Sequence, residues 1–247
     1  MSLKQEQPQE QLQEHITSTY TNLRIGIAGL AIVLPFLLWI VGYIRSNLPL
    51  QESMSAYYHS GGGTTRDVFV GILCAVGVFL YLYRGYTNYE NYALNLAGVS
   101  VVGVALFPME WGCGNSCSKF SLHGTFAILF FLSIAYVCIF RASDTLKLIK
   151  NDNIRSFYSR IYPLMGIGMI VFPIITVLLT LVLQPTSEAR STVFFVEAVA
   201  IFIFASYWIF KSREIDLTHS EELASEGKLK ITSPRLFSKA SVQTTID

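Results

Sequence analysis

The stretch 161-IYPLMGIGMIVFPIITVLLTLVL-183 runs for 23 residues without an Asp, Glu, Lys or Arg. A bilayer core about 30 Å thick needs about 20 mostly apolar helical residues to cross it. The stretch is long enough, and it predicts a membrane-spanning helix. Working outward, five more apolar runs reach or approach that length: 25–44, 68–83, 92–109, 122–140 and 193–210. The shortest, 68–83, is flanked by Asp67 and Arg84, whose side chains can snorkel to the two interfaces. A barrel would instead show alternating segments of about 10 residues. Of 247 residues, 52% are apolar and only 14% charged. The sequence therefore predicts an all-α polytopic membrane protein, a six-transmembrane-helix bundle with no sizeable soluble domain and no internal repeat. Residues 1–23 read as a polar N-terminal segment, 24–211 as the spanning domain and 212–247 as a polar tail, both ends flexible or loosely helical. The opening MSLKQEQPQEQLQEH lacks the apolar core and cleavage site of a secretory signal, so 25–44 reads as a retained span.

Six spans put both termini on one side. That side carries 14 Lys and Arg residues, among them Arg24, Arg84, Arg141 and Lys211, against four on the other: Arg45, Arg66, Lys119 and Arg190. The imbalance predicts cytoplasmic termini. Cys113 and Cys117, in 111-WGCGNSCSKF-120, then face outward, where an oxidising compartment favours a disulfide between them. A pair of free thiols is the alternative.

Few ionisable groups fall in or beside the spans, and they share a depth. Asp67 starts the second span from outside, Glu110 closes the third, His123 opens the fourth, and Glu197 lies about one turn into the sixth. Such residues are costly in a bilayer and usually face a bundle interior or wet cavity. The first outer loop, 53-SMSAYYHSGGGTTRDVFVG-71, adds Ser55, His59 and Arg66. The expected pocket therefore combines Asp67, Glu110, His123, Glu197, Arg66 and Ser55. Each also has a structural reading. Asp67 can cap its helix, Glu110 can mark the water interface, His123 can bond a neighbouring loop, and Glu197 can pair with Arg190 or Arg45. Asn95, Gly98, Ser100 and Gly103 form a small, polar stripe on the third span, suited to close helix packing. The basic 141–160 loop suits anionic headgroups.

The strings 66-RDVFVGILCAVGVFLYLYRGY-86, 94-LNLAGVSVVGVALFP-108 and 122-LHGTFAILFFLSIAY-136 resemble a bacterial-type group of multi-pass membrane proteins with an RDVFVG motif. The layout is also similar to the damage-regulated autophagy modulator and related six-span proteins, where a Ser-rich motif follows span one and a His-Gly start opens span four. The likeness covers roughly residues 53–136 and implies a fold without an established chemistry. Ser55-x3-His59 with Asp67 resembles the start of the alkaline ceramidase and adiponectin-receptor superfamily. That likeness implies histidine-bound zinc, with Ser and Asp close to the metal and its water. This chain lacks the late His-x3-His pair of those seven-span hydrolases. His59 and His123 with Glu197, or with Asp67 in its place, are the three-ligand set left for zinc.

Three functions follow as expectations. The first is a non-enzymatic membrane protein whose outer-leaflet pocket binds or passes a lipid, small molecule or ion, without a cofactor. The second is a structural or accessory subunit packed against its own copies or another membrane subunit. The third is an intramembrane zinc-dependent lipid hydrolase. Membrane lipids are partners in all three, and nucleic acid in none.

Overall fold

The computed structural model describes residues 3–110, 121–182, 191–232, 236–237 and 241–244. Six helices carry the architecture: α1 (Leu3–Ser46), α2 (Thr64–Leu82), α3 (Asn88–Leu106), α4 (Leu122–Tyr136), α5 (Asp152–Val182) and α6 (Thr192–Thr218). Each packs on the next, and α6 closes back on α1, so the bundle is a ring in chain order. Leu34, Leu38, Leu80, Leu94, Ile134, Met169 and Trp208 fill its core. Phe36, Val78, Val99, Leu132, Ile174 and Phe195, one from each helix, stand exposed on its outside. A water-soluble bundle would place such a surface inside. Five of the helical segments are long and apolar enough to cross a membrane, consistent with a multi-pass integral membrane protein.

Local chemistry moves several boundaries from their sequence positions. The second span begins at Thr64, a turn before 68, because Gly61, Gly62 and Gly63 adopt φ of 78°, 63° and 98° and turn the chain straight into the helix. Side chains rarely tolerate that conformation, so the triple glycine is a conformational requirement. The added turn gives α2 its 19 residues. The third span shifts towards its N-terminus. Thr87 caps α3 by accepting from Glu90 N at 3.2 Å, and Glu90 Oε2 reaches back to Tyr86 N at 2.8 Å. This close relative of a capping box starts the helix at Asn88. Asn88, Glu90, Asn91 and Asn95 then make its first two turns polar, which explains why α3 is not among the five apolar helices.

Apolar burial gives little drive between helices in lipid, so close packing through small residues carries more of the association. A Cβ on Gly98 would lie 2.7 Å from Gly77 O, and one on Gly77 would lie 2.8 Å from Gly98 O. The α2 and α3 backbones touch at this glycine pair, as the small-residue stripe predicts.

The tail is more ordered than its composition implies. Helix α6 continues eight residues past Phe210, and Lys211, Ser212, Glu214, Ile215 and Thr218 are buried. A short helix, α7 (Ser220–Ser225), follows, and β1 (Leu229–Thr232) pairs antiparallel with β2 (Ser241–Thr244). At the other terminus α1 is helical from Leu3. The last turn of α4 widens into a π-helix, Val137–Arg141, where Ala142 N donates to Val137 O at 2.8 Å.

Candidate functional site

The α1–α2 connection is fastened to the bundle by Tyr57. Its ring is fully buried, and Gly42 makes room for it, since a Cβ there would stand 2.9 Å from the ring. Tyr57 O accepts from Thr65 Oγ1 at 2.8 Å, and burial lifts the phenol above its ordinary pKa. With Tyr57 fixed, the short 3-10 turn Ser55–Tyr58 presents Ser55 to α4.

Ser55 Oγ lies 2.9 Å from His123 Nε2. The opposite ring nitrogen, Nδ1, lies 3.2 Å from Val104 O and 3.0 Å from Phe107 O. Both are backbone carbonyls at the C-terminal end of α3, where helix carbonyls lack intrahelical donors. A carbonyl can only accept, so in the neutral imidazole Nδ1 carries the proton and Nε2 presents a lone pair. The Ser55 hydroxyl therefore donates to His123. Ser121, which caps α4 by accepting from Gly124 N at 3.0 Å, sets the first turn that places the ring.

Glu197 approaches from α6. Its Oε2 accepts from Met54 N at 2.7 Å, next to Ser55 in the chain, and Phe194 N donates to Glu52 O at 3.0 Å. His59 Nε2 donates to Met109 O at 2.8 Å, and Ser53 Oγ reaches Met109 Sδ at 3.8 Å. Residues 52–59 are thus laced to α4, α6 and the segment after α3.

The structure pairs Ser55 with His123 and sets Glu197 on the neighbouring Met54 N, while other expected members bond elsewhere. Asp67 and Arg66 pair with each other at 3.3 Å, with side chains 73% and 49% exposed. They lie on the exposed side of α2. Glu110 is exposed at the edge of the described residues. Cys113 and Cys117, with the expected disulfide, lie outside the described residues. His59, His123 and Glu197 do not converge on one point. Their bonds go to Met109 O, to Ser55 with two α3 carbonyls, and to Met54 N. Among the described residues no group of three His, Cys, Asp or Glu could hold a metal ion.

The opposite end, where α1 enters and α6 leaves, holds a buried ionic network. Lys211 Nζ donates to Glu214 Oε2 at 2.5 Å, Thr145 Oγ1 at 2.9 Å and Ala142 O at 3.2 Å. Glu214 also accepts from Thr145 Oγ1 at 2.7 Å and Tyr162 OH at 3.2 Å. Arg141 and Asp144 form a second buried pair at 3.5 Å. Arg24, fully buried, pairs with Glu221 of α7, and Tyr86 OH shares a hydrogen bond with Ser220 Oγ at 2.8 Å. Burial raises the Glu221 carboxyl above its usual range, partly offset by Arg24, and burial also raises the Tyr86 phenol. A recess of about 480 Å³ opens beside these groups, lined by Tyr20, Arg84, Tyr86, Glu221 and Leu229 among others. From sequence these cations register only as a topology signal. The missed cue lies in α6, where Phe204, Trp208, Lys211 and Ile215 are spaced four, three and four apart on one stripe.

Comparison with protein-family models, with curated proteins and with solved structures finds no match to the chain.

Proposed function

We propose that the chain is a six-span membrane protein with cytoplasmic termini whose outer rim binds a lipid or small amphiphile at Ser55, His123 and Glu197. Helix α3 serves as the sixth span. Its 19 residues match α2 and rise about 28 Å, close to the bilayer core, with its polar first turns at headgroup level. The distribution of Lys and Arg sets the orientation.

The observation that carries the reading is the half-buried Ser55–His123 pair, 2.9 Å apart, joined through Met54 to Glu197. Three segments remote in sequence converge on it. Exposed Leu106 and Phe107 end α3 beside the carbonyls that hold His123, and exposed Leu122 adjoins His123 in the chain, giving the site apolar neighbours. A polar centre with an apolar margin at a membrane surface suits an amphiphile.

Native mass spectrometry of the protein released from nanodiscs tests this. Wild type retains a lipid or added amphiphile that His123→Ala and Glu197→Gln lose, while Asp67→Asn retains it. Equal occupancy in all four refutes the reading. A structural clamp is the second reading. Both His123 nitrogens are engaged, and Glu197 satisfies a backbone N–H. Under it the same variants lose thermal stability without changing bound lipid.

A further inference from the structure

We infer that Ser55 is a nucleophile toward carboxylic esters of lipids, with His123 as its general base. The inference rests on the proposed outer-rim site and assigns it a reaction. A serine hydroxyl becomes a useful nucleophile when a base accepts its proton and a third group fixes that base. All three parts are present. The hydroxyl and Nε2 are 2.9 Å apart, within general-base reach. The Val104 and Phe107 carbonyls hold Nδ1–H and so fix the tautomer, the task a buried carboxylate performs in a catalytic triad. Carbonyl dipoles stabilise an imidazolium less than a full negative charge does, so the site is a slower version of that arrangement.

The margin of the site selects the substrate class. The Phe107 carbonyl holds His123, and its ring stacks on Phe126 with centroids 5.4 Å apart while remaining 43% exposed. Leu106, next to Phe107 in the chain, and Leu122, next to His123, are exposed as well. An acyl chain lying on them carries its ester carbonyl to Ser55.

In the first step Ser55 Oγ bonds to the acyl carbon as its proton passes to His123 Nε2. The carbon–oxygen bond to the alcohol then breaks, and that proton goes to the departing alcohol oxygen. Water, deprotonated by His123, attacks the acyl-serine, releasing a carboxylic acid and restoring the hydroxyl. Ester and water are consumed, and acid and alcohol are formed. Glu197 is a positioning residue, holding Met54 N and hence the backbone before the nucleophile.

The test is covalent labelling of the full chain in detergent with a fluorophosphonate probe, followed by peptide mass spectrometry. Wild type takes one adduct at Ser55, Ser55→Ala takes none there, and His123→Ala labels about 100-fold more slowly or worse. Glu197→Ala leaves Met54 N without its acceptor and labels more slowly while keeping the wild-type pH profile. Wild type alone provides a check independent of mutant folding: its labelling rate rises with pH along one titration as the imidazole becomes neutral, then levels off. No adduct on protein that keeps its thermal transition, or a rate flat in pH, overturns the inference. Adduct at Ser55 together with unchanged lipid occupancy in His123→Ala upholds the nucleophile and refutes the binding reading.

Discussion

Lys211 offers the sharpest test of how the bundle is held together. Its side chain is 2% exposed and that of Glu214 is fully buried, so neither charge has water to fall back on. Lys211→Met keeps much of the apolar stem and removes all three N–H donors at once. The Glu214 carboxylate is then left with the Thr145 and Tyr162 hydroxyls, and Ala142 O loses its side-chain donor. Removing one member of a buried ion pair costs about 3–5 kcal/mol, because the remaining charge is uncompensated. For a protein of this size about 1 kcal/mol moves a melting temperature by roughly 2–4 °C, so the expected fall is roughly 6–20 °C. Replacing both residues, as Lys211→Met with Glu214→Leu, removes the orphaned charge as well as the attraction. That double variant should melt above Lys211→Met, since apolar replacement of a buried pair is often neutral or stabilising. The assay is thermal unfolding in detergent micelles, followed by fluorescence or by loss of the monodisperse size-exclusion peak. A Lys211→Met protein melting within 2 °C of wild type would refute the reasoning. So would a double variant falling by the sum of the single losses, because the two residues would then be independent.

Gly98→Val should lower the melting temperature, because its side chain begins 2.7 Å from Gly77 O and the helices must part; overpacking of this kind costs about 1–3 kcal/mol. Val99→Ala, on the exposed side of the same helix, is the control and should change little. Thr87→Ala removes the α3 cap and should cost about 0.5–2 kcal/mol, with Thr87→Ser recovering most of it. Glu221 has a raised folded-state pKa from burial, so its contribution to docking α7 is present below the unfolded value, about 4.3, and is lost as pH rises through the folded one. Hydrogen exchange at Ser220–Ser225 should therefore show protection, corrected for intrinsic rate, falling as pH rises from 4 to 7, with that slope absent in Glu221→Gln.

The helices were legible because lipid exposure and core burial both demand apolar residues, and long runs of them leave few other folds. Azimuth was less legible, since both faces of a spanning helix are apolar. Depth along the span therefore groups Asp67 with His123 and Glu197 although azimuth separates them. On α2 the buried positions Thr65, Phe69, Leu73, Val76 and Leu80 define one stripe. Asp67 is two residues from Thr65 and Phe69, about 200° round the helix, and points away from the core. The spacing contained that fact, but only once Thr65 was known to be buried. Ser55 meeting His123 was not legible at all. It depends on the Gly61–Gly63 turn folding the connection back over the bundle and on α3 ending at Leu106, three residues before the expected Met109.

The two ends of the ring differ in a way that bears on where chemistry can occur. At the end shared by α1 entry and α6 exit, Arg24, Arg141, Lys211 and Glu214 are each at most 2% exposed, and their bonds run to buried or largely buried groups. Charges in such a setting are compensated in place, and admitting a ligand among them would mean breaking pairs worth several kcal/mol each. At the other end Ser55, His123 and Glu197 are only half-buried, and their hydrogen bonds run to a hydroxyl and to backbone groups rather than to opposite charges. One helix joins the two: His123 stands in the first turn of α4, and the π turn at its far end leads directly into Ala142, whose carbonyl accepts from Lys211. The locked end fixes that helix along its axis, and this in turn fixes the imidazole against the α3 carbonyls. On this account the buried ions and the Ser55–His123 pair are parts of one design: rigidity at the end where α1 enters and α6 leaves holds the hydroxyl–imidazole geometry at the other.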